Sequence, residues 1–194
     1  MKRVSTKSWP RTSALTVGLA LFAVAAGAQQ TGRVNELTLA GLRPGHDNLA
    51  AAAKRYKSKY MAPTSDTSDI REWRDGCTGH ILALRINGNA DIQAITVSAL
   101  AAGNGSCDDK RFDALDEKDW TTGHGLHLGD PQNRVTDLYG EPNSGGPLTK
   151  ASKEVELLRY NFAWAGAEVP QTLSVYCDRD TGRVLEIELA VTSL

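Results

Sequence analysis

His124, His127 and Asp130 lie within seven residues of one another in the stretch TTGHGLHLGDPQNRVTDLYGEP, from Thr121 to Pro142. Two imidazoles and a carboxylate at that spacing are the donor types of a metal site. Zinc centres take three or four such groups and a supporting shell of hydrogen-bond partners. No second ligand cluster accompanies these three, and Asp130 stands where a helix needs its cap. The segment therefore reads as a polar extended lead into a helix, with no metal and no cofactor expected. Cys177 paired with a histidine would be the other route to chemistry, but a nucleophilic thiolate has to be accessible and beside a base. Cys177 instead alternates with Leu173 and Val175 along one strand face, a buried position. The chain carries no G-x-S-x-G, H-E-x-x-H, P-loop or dinucleotide fingerprint. Asp113, Asp116 and Glu117 fall in a polar connector and read as solvated surface. The expectation is a protein that is not an enzyme; a small metal-dependent hydrolase built on His124 and His127 is the less favoured alternative.

Two groups of residues have the chemistry of recognition instead. Trp73 and Trp120 are candidate contact residues, because aromatics are enriched at binding hot spots. Lys54, Arg55, Lys57 and Lys59 cluster on one helix and read as a solvated face, with contact to an anionic surface as the second use. Trp164 follows an inward alternation and is assigned to the core.

The chain has 194 residues with 22 basic and 23 acidic side chains, a formal charge of −1. Lys2, Arg3, Lys7 and Arg11 precede an apolar run from Ala14 to Ala26, and Ala26-Gly27-Ala28 offers small residues for cleavage. That is the layout of a signal peptide over residues 1–28; an uncleaved anchor is the alternative. Cleavage removes those four basic residues and takes the formal charge to −5 over the remaining 166 residues. A mildly acidic chain gives no support to nucleic-acid binding. No cysteine precedes Cys77, so no lipid anchor on cysteine is expected. An exported protein, periplasmic or extracellular, follows.

The elements that would position these residues occur twice. Pro44-Gly45 turns the chain, Asp47 is the expected N-cap, and Leu49, Ala53, Tyr56 and Tyr60 recur at helical spacing. Ala62 to Asp69 is loop composition. Ile70 to Arg74, the alternating Leu82, Leu84 and Ile86, and then Ile95 and Val97 read as three strands, with Asn87-Gly88 as a hairpin turn. Ala101 to Lys118 connects. In the second half Gly129 breaks an extended run, Asp130 caps, Pro131 takes the first helical position, and Gly140 and Pro142 end the helix. Asn143 to Ser152 reads as a loop. Strands follow through Leu158, Tyr160 and Phe162, through Leu173 and Val175, and through a last stretch in which Leu185, Ile187, Leu189 and Val191 face inward while Glu186 and Glu188 face out.

Cys77 and Cys107 flank the first hairpin at its open end and are expected to pair, as export permits; the rival link joins Cys107 to Cys177. The expected fold class is α+β, two tandem helix-plus-antiparallel-sheet units. The expected divisions are a leader at 1–28, a first unit at 29–105, a connector at 106–119 and a second unit at 120–194.

Gly123 to Pro142 approximate the phrase G-x-L-x-x-G-x-x-x-x-x-V-x-x-L-Y-G-x-P, which resembles the helix segment of the SmpA/OmlA outer-membrane lipoprotein family and of the wider group that includes the β-lactamase inhibitor protein. The resemblance implies helices packed on an antiparallel sheet, in tandem as in the inhibitor. It carries over no functional residue. The functional expectation is a protein-binding module of the cell envelope, an enzyme inhibitor or assembly accessory with a protein partner in the envelope or secreted fraction. A structural envelope protein contacting anionic surfaces is the alternative.

Overall fold

Seven extended stretches, most of them alternating buried and more exposed residues, build one antiparallel sheet. A computed structural model describes residues 35–56, 69–75, 78–100, 120–162 and 170–192. The strands are β1 (Ile70–Arg74), β2 (Ile81–Ile86), β3 (Ile92–Ser98), β4 (Ser144–Lys150), β5 (Lys153–Phe162), β6 (Gln171–Asp178) and β7 (Val184–Val191). Their order across the sheet is β1-β2-β3-β7-β6-β5-β4. Two short helices, α1 (Leu49–Tyr56) and α2 (Gln132–Tyr139), complete the described elements.

This corrects the expected fold class. The described residues are mainly β, one continuous seven-stranded sheet with two eight-residue helices, and not two tandem helix-plus-sheet units. The reason is the pairing of β3 with β7, Ala94 opposite Ala190 through Ser98 opposite Glu186. That seam hydrogen-bonds strands from the two halves of the chain into a single sheet.

Three local expectations also change. The Gly- and Pro-rich stretch after Asn143 is a strand, β4, turned back on β5 through Ala151 and Ser152, both at positive φ. It lies at the sheet edge, where proline and glycine are tolerated. Gly145 belongs there because a Cβ would strike the Leu157 carbonyl of β5. In β7 the register shifts between Tyr176 and Cys177, so Val184 takes the inner position opposite Cys177 and Leu185 is the extra residue. The caps move as well. Asn48 caps α1, its Oδ1 accepting the Ala51 N–H at 3.0 Å, while Asp47 accepts the Arg43 N–H at 2.7 Å. At α2 the cap position is Pro131 without a side-chain bond, and Asp130 accepts the His127 N–H at 2.9 Å. The β6–β7 turn serves α2 instead: Gly182 O accepts the Gln132 N–H at 2.8 Å.

One face of the sheet carries the core. Leu82, Leu84, Ile95, Val97, Leu173, Val175, Ile187 and Leu189 lie buried against Leu39, Leu42, Tyr56, Leu126, Val135 and Tyr139. Over this face runs the segment from Asn35, whose next residue fastens it. The Glu36 side chain is buried, and five donors reach it. Its Oε1 accepts the N–H groups of Leu37, Thr38 and Gly123, each at 3.0 Å. Its Oε2 accepts the His124 N–H at 3.1 Å and the Tyr139 hydroxyl at 2.7 Å. With the single tyrosine proton spent on Glu36, Thr122 Oγ1 donates to Tyr139 Oη at 2.8 Å. Burial and then the Glu36 charge hold the Tyr139 hydroxyl far above its ordinary pKa. Gly123 is required by this approach, since a Cβ there would stand 2.7 Å from Glu36 Oε1.

Removing the carboxylate leaves buried donors without an acceptor. Glu36→Ala should lose at least about 3 kcal/mol in chemical denaturation, because bonds to a charged group are worth roughly 1.5–3 kcal/mol each. A loss below about 1 kcal/mol would show that the bonds to Glu36 contribute little net stability.

Candidate functional site

The residues singled out by their chemistry do not converge. His124 donates from Nε2 to the Asn35 carbonyl at 3.0 Å and stands edge-on to the Tyr139 ring. His127 points its Nδ1 at Asp130 Oδ2, 3.4 Å away. Each imidazole thus has a local partner in the loop that leads into α2, and among the described residues no three potential metal ligands come together. Trp73 and Trp120, the candidate recognition aromatics, are both buried: Trp73 packs on Tyr56 with ring centres 5.3 Å apart, and Trp120 stands edge-on to His80 at 5.4 Å. Neither offers a contact surface, because each fills the core cluster. Burial holds the His80 imidazole below its ordinary pKa, against an opposing pull from Asp75.

Lys54 and Arg55 are exposed on α1, with the Arg55 guanidinium 5.9 Å from the Tyr56 ring centre. Lys57, Lys59, Trp164, Cys77 and Cys107 lie outside the described residues, as do the leader and the connector. Cys177 is a free, fully buried thiol on the core side of β6, opposite Val184.

What the fold does present is the other side of the sheet. Register places one outward residue from each strand in a common row. Glu72, Ala83, Thr96, Glu188, Ser174 and Arg159 form the middle row across β1, β2, β3, β7, β6 and β5. One neighbouring row runs Arg74, Ile81, Ser98, Glu186, Tyr176 and Leu157, the other Ile70, Arg85, Ala94, Ala190, Thr172 and Asn161. None of these residues belongs to the core cluster. The centre of this side carries small side chains, Ala83, Ala94, Thr96, Ser98, Ser174 and Ala190, of which Ala94, Ser98, Ser174 and Ala190 are buried, and longer charged ones stand to both sides.

One ion pair organises the β4 half of the face. Lys150 Nζ reaches from the end of β4 to Glu186 Oε1 and lies 3.8 Å from the centre of the Tyr176 ring. Glu186 is buried, Lys150 partly so. Burial alone would draw the lysine pKa down, but the hydrogen bond and charge of Glu186, with smaller help from Tyr176 and Glu188, hold it above its ordinary value. The ammonium thus stays charged and caps an aromatic face, a geometry that gains from cation–π attraction.

No family model matches the chain, and no curated protein matches it. A solved structure of a DUF4309 family protein from Bacillus subtilis subsp. subtilis str. 168 is similar at 12% identity, covering 83% of this chain and 88% of that one with a TM-score of 0.45.

Sequence alone gave outward positions to Glu186 and Glu188 but left Lys150 in a loop. Applying the same alternation to the strands through Tyr160 and Val175 puts Arg159, Ser174 and Tyr176 on the side of those acids. The pairing of Lys150 with Glu186 has no sequence signal, because it depends on β4 being a strand.

Burial, and next the Glu156 charge, push the Cys177 thiol up to about 12 from 9.0. The folded state therefore keeps a proton that the unfolded chain loses, and this contribution to stability is present below pH 9 and fades as pH rises toward 12. Iodoacetamide at pH 8 should leave the Cys177 peptide unmodified in the folded protein and label it in denaturant. Rapid native labelling would contradict the buried placement.

Proposed function

We propose that the protein is an exported, non-enzymatic binding module of the cell envelope that engages a protein partner through the outer face of its sheet. Export rests on the basic residues, apolar run and small-residue end of positions 1–28. Binding rests on one observation, the set of charged side chains flanking a floor of small residues across β1 to β5, opposite the face that carries the core.

The dimensions suit a partner. Strands stand about 4.8 Å apart, so the six that carry the rows cover roughly 29 Å, and three outward rows cover about 20 Å along the strands. The resulting area, roughly 600 Å², approaches the ~800 Å² per side of a standard interface. Arg85 and Arg159 are exposed at opposite sides of the face, with small residues between them. Such charges give orientation and on-rate more than raw affinity. Trp73 and Trp120 take no part in this reading.

An affinity capture from the host's envelope and secreted fractions, read by mass spectrometry and followed by titration, tests it. One saturable partner is expected, bound at least about tenfold more weakly by the Arg85→Glu, Arg159→Glu double variant. That variant should unfold within about 0.5 kcal/mol of the parent, since both positions are exposed. A partner held equally well by the double variant, or no partner at gentle ionic strength, would overturn the proposal.

A further inference from the structure

The hairpin that joins β4 to β5 is built against its own local preferences. Its two turn residues, Ala151 and Ser152, sit at φ 48° and 62°, a left-handed pair for which Asn-Gly is the favoured sequence. A side chain in that region costs free energy that glycine avoids. The residues flanking the turn, Lys150 and Lys153, stand directly opposite each other with the same charge, a destabilising cross-strand pair. β4 itself contains Gly145, Gly146 and Pro147, residue types depleted from strand interiors. It forms one edge of the sheet, and none of its residues is buried.

The start of β4 is fixed by bonds of its own. The Asn143 N–H donates to the Arg159 carbonyl and its Oδ1 accepts the Asn161 N–H, both at 2.8 Å, while the Gly140 carbonyl accepts the Tyr160 hydroxyl at 3.1 Å. The far end reaches past the body of the sheet. β5 pairs with β6 only from Val155 onward, so Lys153 and Glu154 project beyond it, and residues 151–154 are exposed. Thr149 Oγ1 donates to Glu154 Oε1 at 2.6 Å, a bond within the hairpin. Arg179 meets Glu154 on the β5 side, its N–H to the carbonyl at 3.2 Å and its guanidinium to the carboxylate at 3.9 Å. Among the described residues, the one polar side-chain contact from β4 to a strand beyond β5 is that of Lys150. Its ammonium lies over the Tyr176 ring, pairs with buried Glu186 on β7 and feels the charge of Glu188.

Local costs opposed by one long-range restraint make a latch. We infer that the far end of β4 is an arm that opens about Gly145 and Gly146, and that the Lys150 ammonium latches it closed over Tyr176. Small residues at a hinge absorb the change in backbone angles. Opening lifts Leu148 from its place opposite Val155, a fully buried residue of β5, and uncovers the Tyr176 ring. The arm is then the part of the sheet that opens at least cost, ahead of β3 and β7. This holds whether or not the outer face engages a partner.

Amide hydrogen exchange of the full chain tests the latch. The amides of residues 148–154 that pair across the hairpin should be protected in the parent protein. Lys150→Met keeps the stem over Tyr176 and removes the charge; in it those amides should exchange at least about tenfold faster while β3 and β7 keep their parental rates. Ala151→Asn combined with Ser152→Gly gives the turn its favoured residues, and should slow exchange at least about threefold in the parent and in Lys150→Met alike. Unchanged exchange in Lys150→Met, equal acceleration in β3 and β7, or unprotected amides across the parent hairpin would each overturn the inference. So would turn substitutions that leave the rates as they were.

Discussion

Five hydrogen bonds to one buried carboxylate hold the core side of this molecule shut. Glu36 gathers two N–H groups from its own segment, two from the Gly123–His124 loop and the hydroxyl of Tyr139 on α2. Those three pieces of chain are distant in sequence, and none has regular pairing enough to fix it alone. The carboxylate turns them into one layer over the sheet, with Tyr139 continuing inward onto Tyr160 and Phe162. The geometry is demanding at each contributor. A side chain at Gly123 would collide with the acid, and Tyr139 has to arrive with its proton toward Glu36 while Thr122 supplies the next one.

The inner side is closed, and the sheet topology makes the outer side broad. Because β3 pairs with β7, the outward residues of both halves of the chain form common rows rather than two separate patches. Glu186 and Glu188 thereby come to the centre, and Arg85 and Arg159, far apart in sequence, come to flank them. The Lys150–Glu186 pair shows how such a surface satisfies itself: one acid is matched from within by a lysine laid over Tyr176, and the charge of Glu188 two residues along acts on the same lysine.

Much of this fold was legible in sequence because strand alternation is a local property. Leu82, Leu84 and Ile86, the Asn87-Gly88 turn, Ile95 and Val97, and the inward Leu173, Val175 and Cys177 all stand where their spacing puts them. The two helices were also placed, but their weight was overstated. Each is eight residues long and fastened by its first N–H groups to a hairpin, Leu49 to Ala90 O and Gln132 to Gly182 O. What made the chain look like one unit used twice was the recurrence of a turn, a cap, a short apolar helix and strands in both halves. What joined the halves, β3 against β7, is a long-range pairing with no local signature. Glu36 carries no signal of its role in the sequence, since a buried carboxylate and a solvated one look alike until their donors are placed. Trp73 and Trp120 failed as contact residues for the complementary reason: a large aromatic is as useful to a core as to an interface.

Native-state amide hydrogen exchange tests the central claim most directly, that Glu36 fastens the inner layer to the sheet. The amides of Leu37, Thr38, Gly123 and His124 donate only to that side chain or to loop carbonyls, so no strand ladder protects them. Protection of these four amides comparable with that of β6 and β7, lost together in Glu36→Gln while the strands stay protected, is the expected result. Fast exchange at all four in the parent protein, with β6 and β7 protected, would contradict it and show the inner layer resting on the sheet without a clasp.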